Sequence, residues 1–195
     1  MKGILILFGT LLFVGLLGFV GWFVYWKRKE KDVRIFSQKD ARDAILKQLG
    51  KSAGQQTVLT DYFLKKNGFT VYVEFIVVNP YGVFVIAPVA RGGKIVGDRE
   101  RKEWTVERPD GSTEIFFNPL IQNASHVQSI RSVLPIDTPV RSVVVFFSDG
   151  ATEICKSVTE AVTPKQLSKV LLSGEKRLSK KDIDDAAECL RLARD

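Results

Sequence analysis

Histidine and cysteine are scarce in this 195-residue chain, and phosphate-binding glycine motifs are missing from it. Its single histidine, His126, cannot make a metal centre alone, because such centres need several convergent ligands. Its two cysteines, Cys155 and Cys189, stand far apart and without ligand spacing. That excludes a zinc module and a disulfide framework, and it fits reduced thiols in a reducing compartment. No G-x-G-x-x-G or Walker pattern occurs, and Gly92-Gly93 reads as a turn. The spacing of Ser125 and Ser148 gives no Ser-His-Asp arrangement. Low-complexity tracts and internal repeats are missing too. Clustered positive charge is scarce outside the N-terminus. Residues 1–34 hold six Lys/Arg against two acids, which is +4 of the net +7 and leaves +3 for the rest. Phosphate binding by charge alone needs clustered Lys/Arg, so the remainder is only mildly suited to it.

What the chain does have begins with Gly3–Trp26, 24 residues without a charge. At about 1.5 Å rise per residue such a helix crosses a hydrocarbon core of roughly 30 Å. Trp22, Tyr25 and Trp26 stand at one end, where amphipathic rings favour the headgroup level, and KRKEK follows. The run is too long for a signal peptide and lacks a small-residue cleavage site. The expectation is an uncleaved single-pass anchor over residues 1–26 and a basic linker over 27–36. The positive-inside rule then places the soluble part in the cytoplasm.

The soluble part reads as a helix over 37–50, capped by Ser37 with Asp40 three residues on and facing inward with Ala41, Ile45, Leu46 and Leu49. Thr57–Leu64 and Phe69–Val78 read as strands joined by a Lys-Lys-Asn-Gly turn, and Val83–Val89 as a third strand after Asn-Pro-Tyr-Gly. The second and third strands are apolar on both faces, as expected inside a covered sheet. Pro88 has no N–H, so pairing should loosen there. Short strands at KIVG, EWTVER and TEIFF make a meander. Asn118–Leu134 reads as a helix capped by Asn118 with Pro119 at its first position and Ala124, Val127, Ile130 and Leu134 inward. Arg141–Phe147 is a core strand. A helix opens at Thr163-Pro164, and a last one follows a capping box at Ser179 and Asp182.

The order VLTDYFL, VEFIVVNPYGVFVI, GGKIVG, Trp104, NPLIQNASHV and VVVF resembles the nuclease-related (NERD) domain family over roughly Val58 to Phe147. Asn79-Pro80-Tyr81-Gly82, and Asn118-Pro119 with Gln122, Asn123 and His126, carry the resemblance. It implies an α/β, restriction-endonuclease-like three-layer domain with a mixed central sheet over 37–160. Residues 161–195 then form C-terminal helices, and one transmembrane helix precedes the domain.

In that family a strand aspartate and an E-x-K pair make a nuclease centre. The aspartate corresponds to Glu74, the glutamate to Ala87 and the lysine to Val89, while Asn118, Gln122 and His126 retain the helix motif. Phosphodiester hydrolysis at such a site uses Mg²⁺, which wants oxygen ligands, usually including one or two carboxylates. Ala87 and Val89 supply neither a carboxylate nor an ammonium. The resemblance therefore implies a degenerate centre, with Glu74 its remnant and Asn118, Gln122 and His126 its binding residues. No metal is expected, and Mg²⁺ only if nuclease activity survives. The expected role is binding of DNA, RNA or a protein partner at the cytoplasmic membrane face. Two alternatives stay open. One is an active Mg²⁺-dependent nuclease whose acids have migrated to Asp61, Asp98, Glu100 or Glu103. The other is a non-enzymatic scaffold. A carboxylate at Glu74 flanked by Val73 and Phe75 also has a plainer reading, as a hydrogen-bonded group paired with a Lys or Arg of a neighbouring strand.

Overall fold

In a computed structural model, residues 18–22, 37–51, 54–66, 68–148, 154 and 158–195 are described. The chain divides into two units, Met1–Arg34 and Ile35–Asp195. Of the run predicted to span a membrane only residues 18–22 are described, and they are helical. The rest of it, the linker 27–36 and Cys155 lie outside the described residues. Among the described residues no helix is long and apolar enough to cross a membrane.

The second unit is an α/β domain. Helix α1 (Gln38–Lys51) precedes strands β1 (Thr57–Lys66), β2 (Phe69–Asn79) and β3 (Gly82–Val89). A meander follows, β4 (Lys94–Val96), β5 (Glu103–Glu107) and β6 (Thr113–Phe117), then helix α2 (Pro119–Arg131) and β7 (Val140–Phe146). The chain closes with β8 (Ala161–Val162), α3 (Leu167–Leu171) and α4 (Lys180–Leu192). The central sheet is mixed, in the order β1-β2-β3-β7-β8. Its first three strands are antiparallel neighbours, and β3, β7 and β8 run parallel. The meander makes a separate three-stranded sheet.

Both faces of the central sheet are covered. On one, Val127 and Ile130 of α2 and Ile183, Ala186 and Leu190 of α4 pack on Val73, Ile76, Val78 and Val85. On the other, Ala41, Ile45 and Leu49 of α1 and Leu167 and Leu171 of α3 pack on Phe75, Val77, Phe84 and Ile86. That double cover is why β2 and β3 can be apolar on both faces. A third cluster seats the small sheet through Val89, Ile95, Trp104 and Phe146. Trp104 is buried and stacks on Phe146 at 5.7 Å, so it packs the interior.

The caps follow the sequence. Ser37 and Asp40 exchange hydrogen bonds of 3.2 and 3.1 Å, and Ser179 and Asp182 form a capping box. Asn118 caps α2 by accepting from the Leu120 N–H at 2.9 Å. Other expectations need correction. Leu46 is exposed, because α1 meets the sheet along the narrow line Ala41–Ile45–Leu49. Ala124 is exposed as well, and Asn123 takes the inward position, spaced with Leu120, Val127 and Ile130. Helix α2 stops at Arg131, short of Leu134. The helix expected at Thr163-Pro164 begins only at Leu167. Thr163 donates to Gln166 Oε1 through both N–H and hydroxyl, which holds a turn there. Just before it, Ala161–Val162 pairs with Val144–Val145 as an unforeseen strand.

Candidate functional site

The site lies where β2 and β3 part. Their ladder runs from the Asn79↔Gly82 turn to Phe75↔Ile86 and stops. Yet β2 continues back to Phe69 on β1, and β3 continues to Val89 on β7. Pro88 accounts for the split. The Phe147 N–H donates to the Val89 carbonyl at 2.8 Å, so the backbone of Val89 faces β7. Its neighbour Pro88 then faces β2, and it has no N–H to extend that ladder. The loosening expected from Pro88 therefore falls on one side of β3 only.

A cleft of about 790 Å³ opens in the split. Glu74 lines it from β2, Ala87 and Val89 from β3, and Gln122, Asn123 and His126 from α2. Three residues singled out in the sequence, Glu74, Gln122 and His126, thus share one cleft. Asn118 does not line it. It is buried, and its Nδ2 donates to the carbonyls of Asp98, Arg99 and Arg101 at 3.3, 3.2 and 2.7 Å, pinning the loop before β5 to the start of α2.

Glu74 is held by a local irregularity. In β2, Val73 and Ile76 face the same helices, and in β1 so do Leu59 and Tyr62. Strict alternation forbids both, since residues three apart belong on opposite faces. Each strand therefore slips by one at the same level, between Thr60↔Phe75 and Tyr62↔Val73. Asp61 occupies the slip with φ of +51°, a conformation that aspartate tolerates better than most residues. Arg194 secures it from behind, donating to the carbonyls of Asp61 and Thr60 at 2.9 and 3.3 Å.

The slip sends Asp61 and Glu74 toward α1, where one guanidinium serves both. Arg42 grips Asp61 through two bonds of 2.9 and 2.5 Å and stands 3.9 Å from Glu74. Gln38, one turn earlier on α1, donates to Glu74 Oε2 at 3.1 Å. Tyr72 donates to Asp61 at 3.0 Å. The partners of Glu74 thus come from a helix, which corrects the neighbouring strand expected from sequence. The two carboxyls behave oppositely. The Arg42 hydrogen bond, aided by Tyr72, lowers the pKa of Asp61. Burial raises that of Glu74 against the pull of Gln38 and Arg42, and Asp61 adds repulsion. Partner and exposure together set the difference: Asp61 bonds Arg42 directly and is 45% exposed, whereas Glu74 stands 3.9 Å from it and is 12% exposed.

Cations near the cleft are committed. Arg91 lines it but pairs with Glu114, which also binds Arg108, and its guanidinium sits 4.2 Å over the Phe116 ring. Burial lowers the pKa of His126, which favours the neutral imidazole. The migrated-site candidates Asp61, Asp98, Glu100 and Glu103 do not line this cleft. Asp98 instead accepts from the N–H groups of Glu100 and Arg101, both at 3.0 Å. Among the described residues, no group of three His, Cys, Asp or Glu side chains is placed to hold a metal ion.

The nuclease-related domain model matches residues 36–147, more than half of the chain. The chain belongs to the nuclease-related domain (NERD) family. No curated protein and no solved structure matches it. The mixed α/β sheet of this NERD domain fits a restriction-endonuclease-like fold. Sequence reading missed Gln38 in the NERD cleft and Arg42 beside Glu74, and it named Asn123 only as part of the family motif. Gln38 and Arg42 are ordinary polar positions on an amphipathic helix, and only the strand slip brings them to Glu74. Asn123 did carry a signal, since it sits at the spacing of the buried α2 stripe.

Proposed function

We propose that this NERD domain binds at its cleft without cutting, as a degenerate nuclease centre. Its role is to hold nucleic acid or a protein partner at the cytoplasmic face of a membrane anchored by residues 1–26. One observation supports the loss of chemistry. Glu74 is the only carboxylate among the residues lining the cleft, and its Oε2 already accepts from Gln38. Mg²⁺ seeks six oxygens in near-octahedral array, and Ala87 and Val89 add no side-chain oxygen. These residues do not fit a Mg²⁺ site. The lysine that would steady charge on a phosphate is absent from the cleft, and Arg91 is neutralised by Glu114. The long uncharged run and its basic flank support the anchor.

The test is an assay of the full chain in detergent on single- and double-stranded DNA and RNA, with Mg²⁺ or Mn²⁺. The expected result is no cleavage. Cleavage that disappears in Glu74→Ala overturns the proposal. Protease protection of the intact protein in sealed vesicles reads the topology, with the soluble domain expected on the cytoplasmic side.

A second reading rests on the adjacency of Asp61 and Glu74 around Arg42. If Arg42 moved aside, two carboxylates would stand together on adjacent strands. An active enzyme of that kind would lose cleavage in both Asp61→Asn and Glu74→Gln.

A further inference from the structure

The last residues of the β1–β2 hairpin lack the cover that closes the rest of the sheet, and they carry aromatic rings into solvent. Phe69 is 75% exposed, Tyr72 42% and Phe63 40%. Phe63 and Tyr72 pair across the two strands with ring centroids 5.0 Å apart, and Phe69 pairs with Lys66 beside the turn. Gly68, with φ of +79°, supplies a left-handed residue for that turn. Strand pairing up to Lys66↔Phe69 holds the rings on a fixed support, so docking them orders little that is not ordered already. Exposed apolar side chains are ordinary one at a time, whereas rings grouped with charge of one sign mark an interaction surface. Residues 62–73 include Lys65 and Lys66 and no acid. Lys66 donates to the neutral Ser132 hydroxyl at 3.0 Å, which leaves its charge uncancelled. Lys65 meets Asp195 at 2.8 Å in an exposed pair, which is weak in water. Asp61, which accepts from Tyr72, is already gripped by Arg42.

Helix α1 begins at this end of the domain, where Gln38 donates to Glu74, two residues along β2 from Tyr72. The predicted linker, the ten residues 27–36, carries five Lys/Arg and two acids. At no more than about 3.6 Å per residue it keeps the start of α1 within roughly 36 Å of a bilayer that holds residues 1–26. We infer that the tip of the β1–β2 hairpin docks on an anionic lipid surface. Phe69, Tyr72 and Phe63 settle at the level of the headgroups, and Lys65 and Lys66 meet the lipid phosphates. Amphipathic and aromatic rings favour that level, and each lysine beside an anionic leaflet strengthens attraction about fivefold. The small sheet also exposes Val96, Ile115 and Phe117, but there Lys94 is paired with Glu107 and no charge of one sign selects a surface. This inference rests on the anchor reading above and gives the soluble domain a second contact with the same membrane.

The experiment reconstitutes the full chain, one copy per nanodisc, in phosphatidylcholine alone or in an equal mixture with phosphatidylglycerol. Hydroxyl-radical oxidation of side chains is then read by mass spectrometry. Ile115 on the small sheet and Leu172 after α3 are exposed and serve as internal references. The expected result is that Phe69 and Tyr72 are oxidised severalfold more slowly in the anionic discs than in the neutral ones, while Ile115 and Leu172 react equally in both. Lys65→Glu together with Lys66→Glu should erase the difference. Equal oxidation of Phe69 in the two lipids overturns the inference. So does protection of Ile115 or Leu172 to the same degree, or protection of Phe69 that survives the charge reversal. The comparison of lipids uses the unaltered protein and does not depend on how the variant folds. An alkaline wash of the chain in phosphatidylcholine vesicles tests the anchor separately. Retention with Phe69 unprotected sinks the docking inference alone, whereas release by the wash overturns the anchor reading and the inference that rests on it.

Discussion

The two ends of the β2–β3 pair contrast sharply. At the turn end, Val77, Val78, Val83 and Phe84 are wholly buried, and the strands are laddered to the Asn79↔Gly82 closure. At the other end the strands part, and a carboxylate, three amides and an imidazole gather in the opening. The same two strands thus serve as core and as site. The difference lies in cover and pairing. Two helix layers close on the turn end, while Pro88 leaves the far end of this pair unladdered.

The contrast breaks most forcefully at the turn end. Phe84→Ala should cost about 3–5 kcal/mol in denaturant unfolding, because a fully buried ring leaves a cavity between sheet and helices. Gly82→Ala should follow at roughly 2–3 kcal/mol. Gly82 has φ of +135°, and a Cβ there would lie 2.7 Å from the Pro139 carbonyl oxygen. Arg42→Ala, at the open end, should cost about 2 kcal/mol at neutral pH by stranding the buried Glu74 and freeing Asp61. That loss should shrink in acid, where Glu74 takes up a proton.

Glu74→Gln is the smallest effect and the most diagnostic. The folded-state pKa of Glu74 is raised by burial, so its contribution to stability is fully present below the unfolded value of 4.5 and is lost as pH rises through the folded one. Replacing it with a neutral amide should therefore raise the melting temperature near neutral pH, with the gain fading as pH falls through the raised folded-state pKa and gone below 4.5. Asp61→Asn should do the reverse. Its folded-state pKa is lowered by Arg42, so the native aspartate stabilises above 3.8, and the cost of losing it should vanish in stronger acid. Opposite pH profiles from two carboxylates that share one arginine would sharpen the distinction between the ends. Parallel profiles would mean that Arg42 does not separate them.

Legibility in the sequence followed the range of the interactions. Caps at Ser37, Asn118 and Ser179 were readable because each satisfies N–H groups within three residues. Strands β2 and β3 were readable because unbroken apolar runs need cover on both faces. Strand β8, two residues long, was not, because Ala161–Val162 becomes a strand only when Val144–Val145 lies beside it. The inward turn of Asn123 was legible only in its spacing. An amide in an apolar stripe looks like a surface residue until the Val85 carbonyl and Ser142 appear beneath it.

The chain alone determined the α/β class, the family and the residue types available at the cleft, since periodicity, end caps and ordered motifs are written in neighbouring side chains. It also determined what that cleft lacks, because Ala87 and Val89 carry no charge in any fold. Only the tertiary structure decided who partners whom. Arg42 and Gln38 reach Glu74 from 32 and 36 residues away. They do so only because two strands slip together and turn their carboxylates toward a helix, and distances of that kind are fixed by packing and not by local sequence.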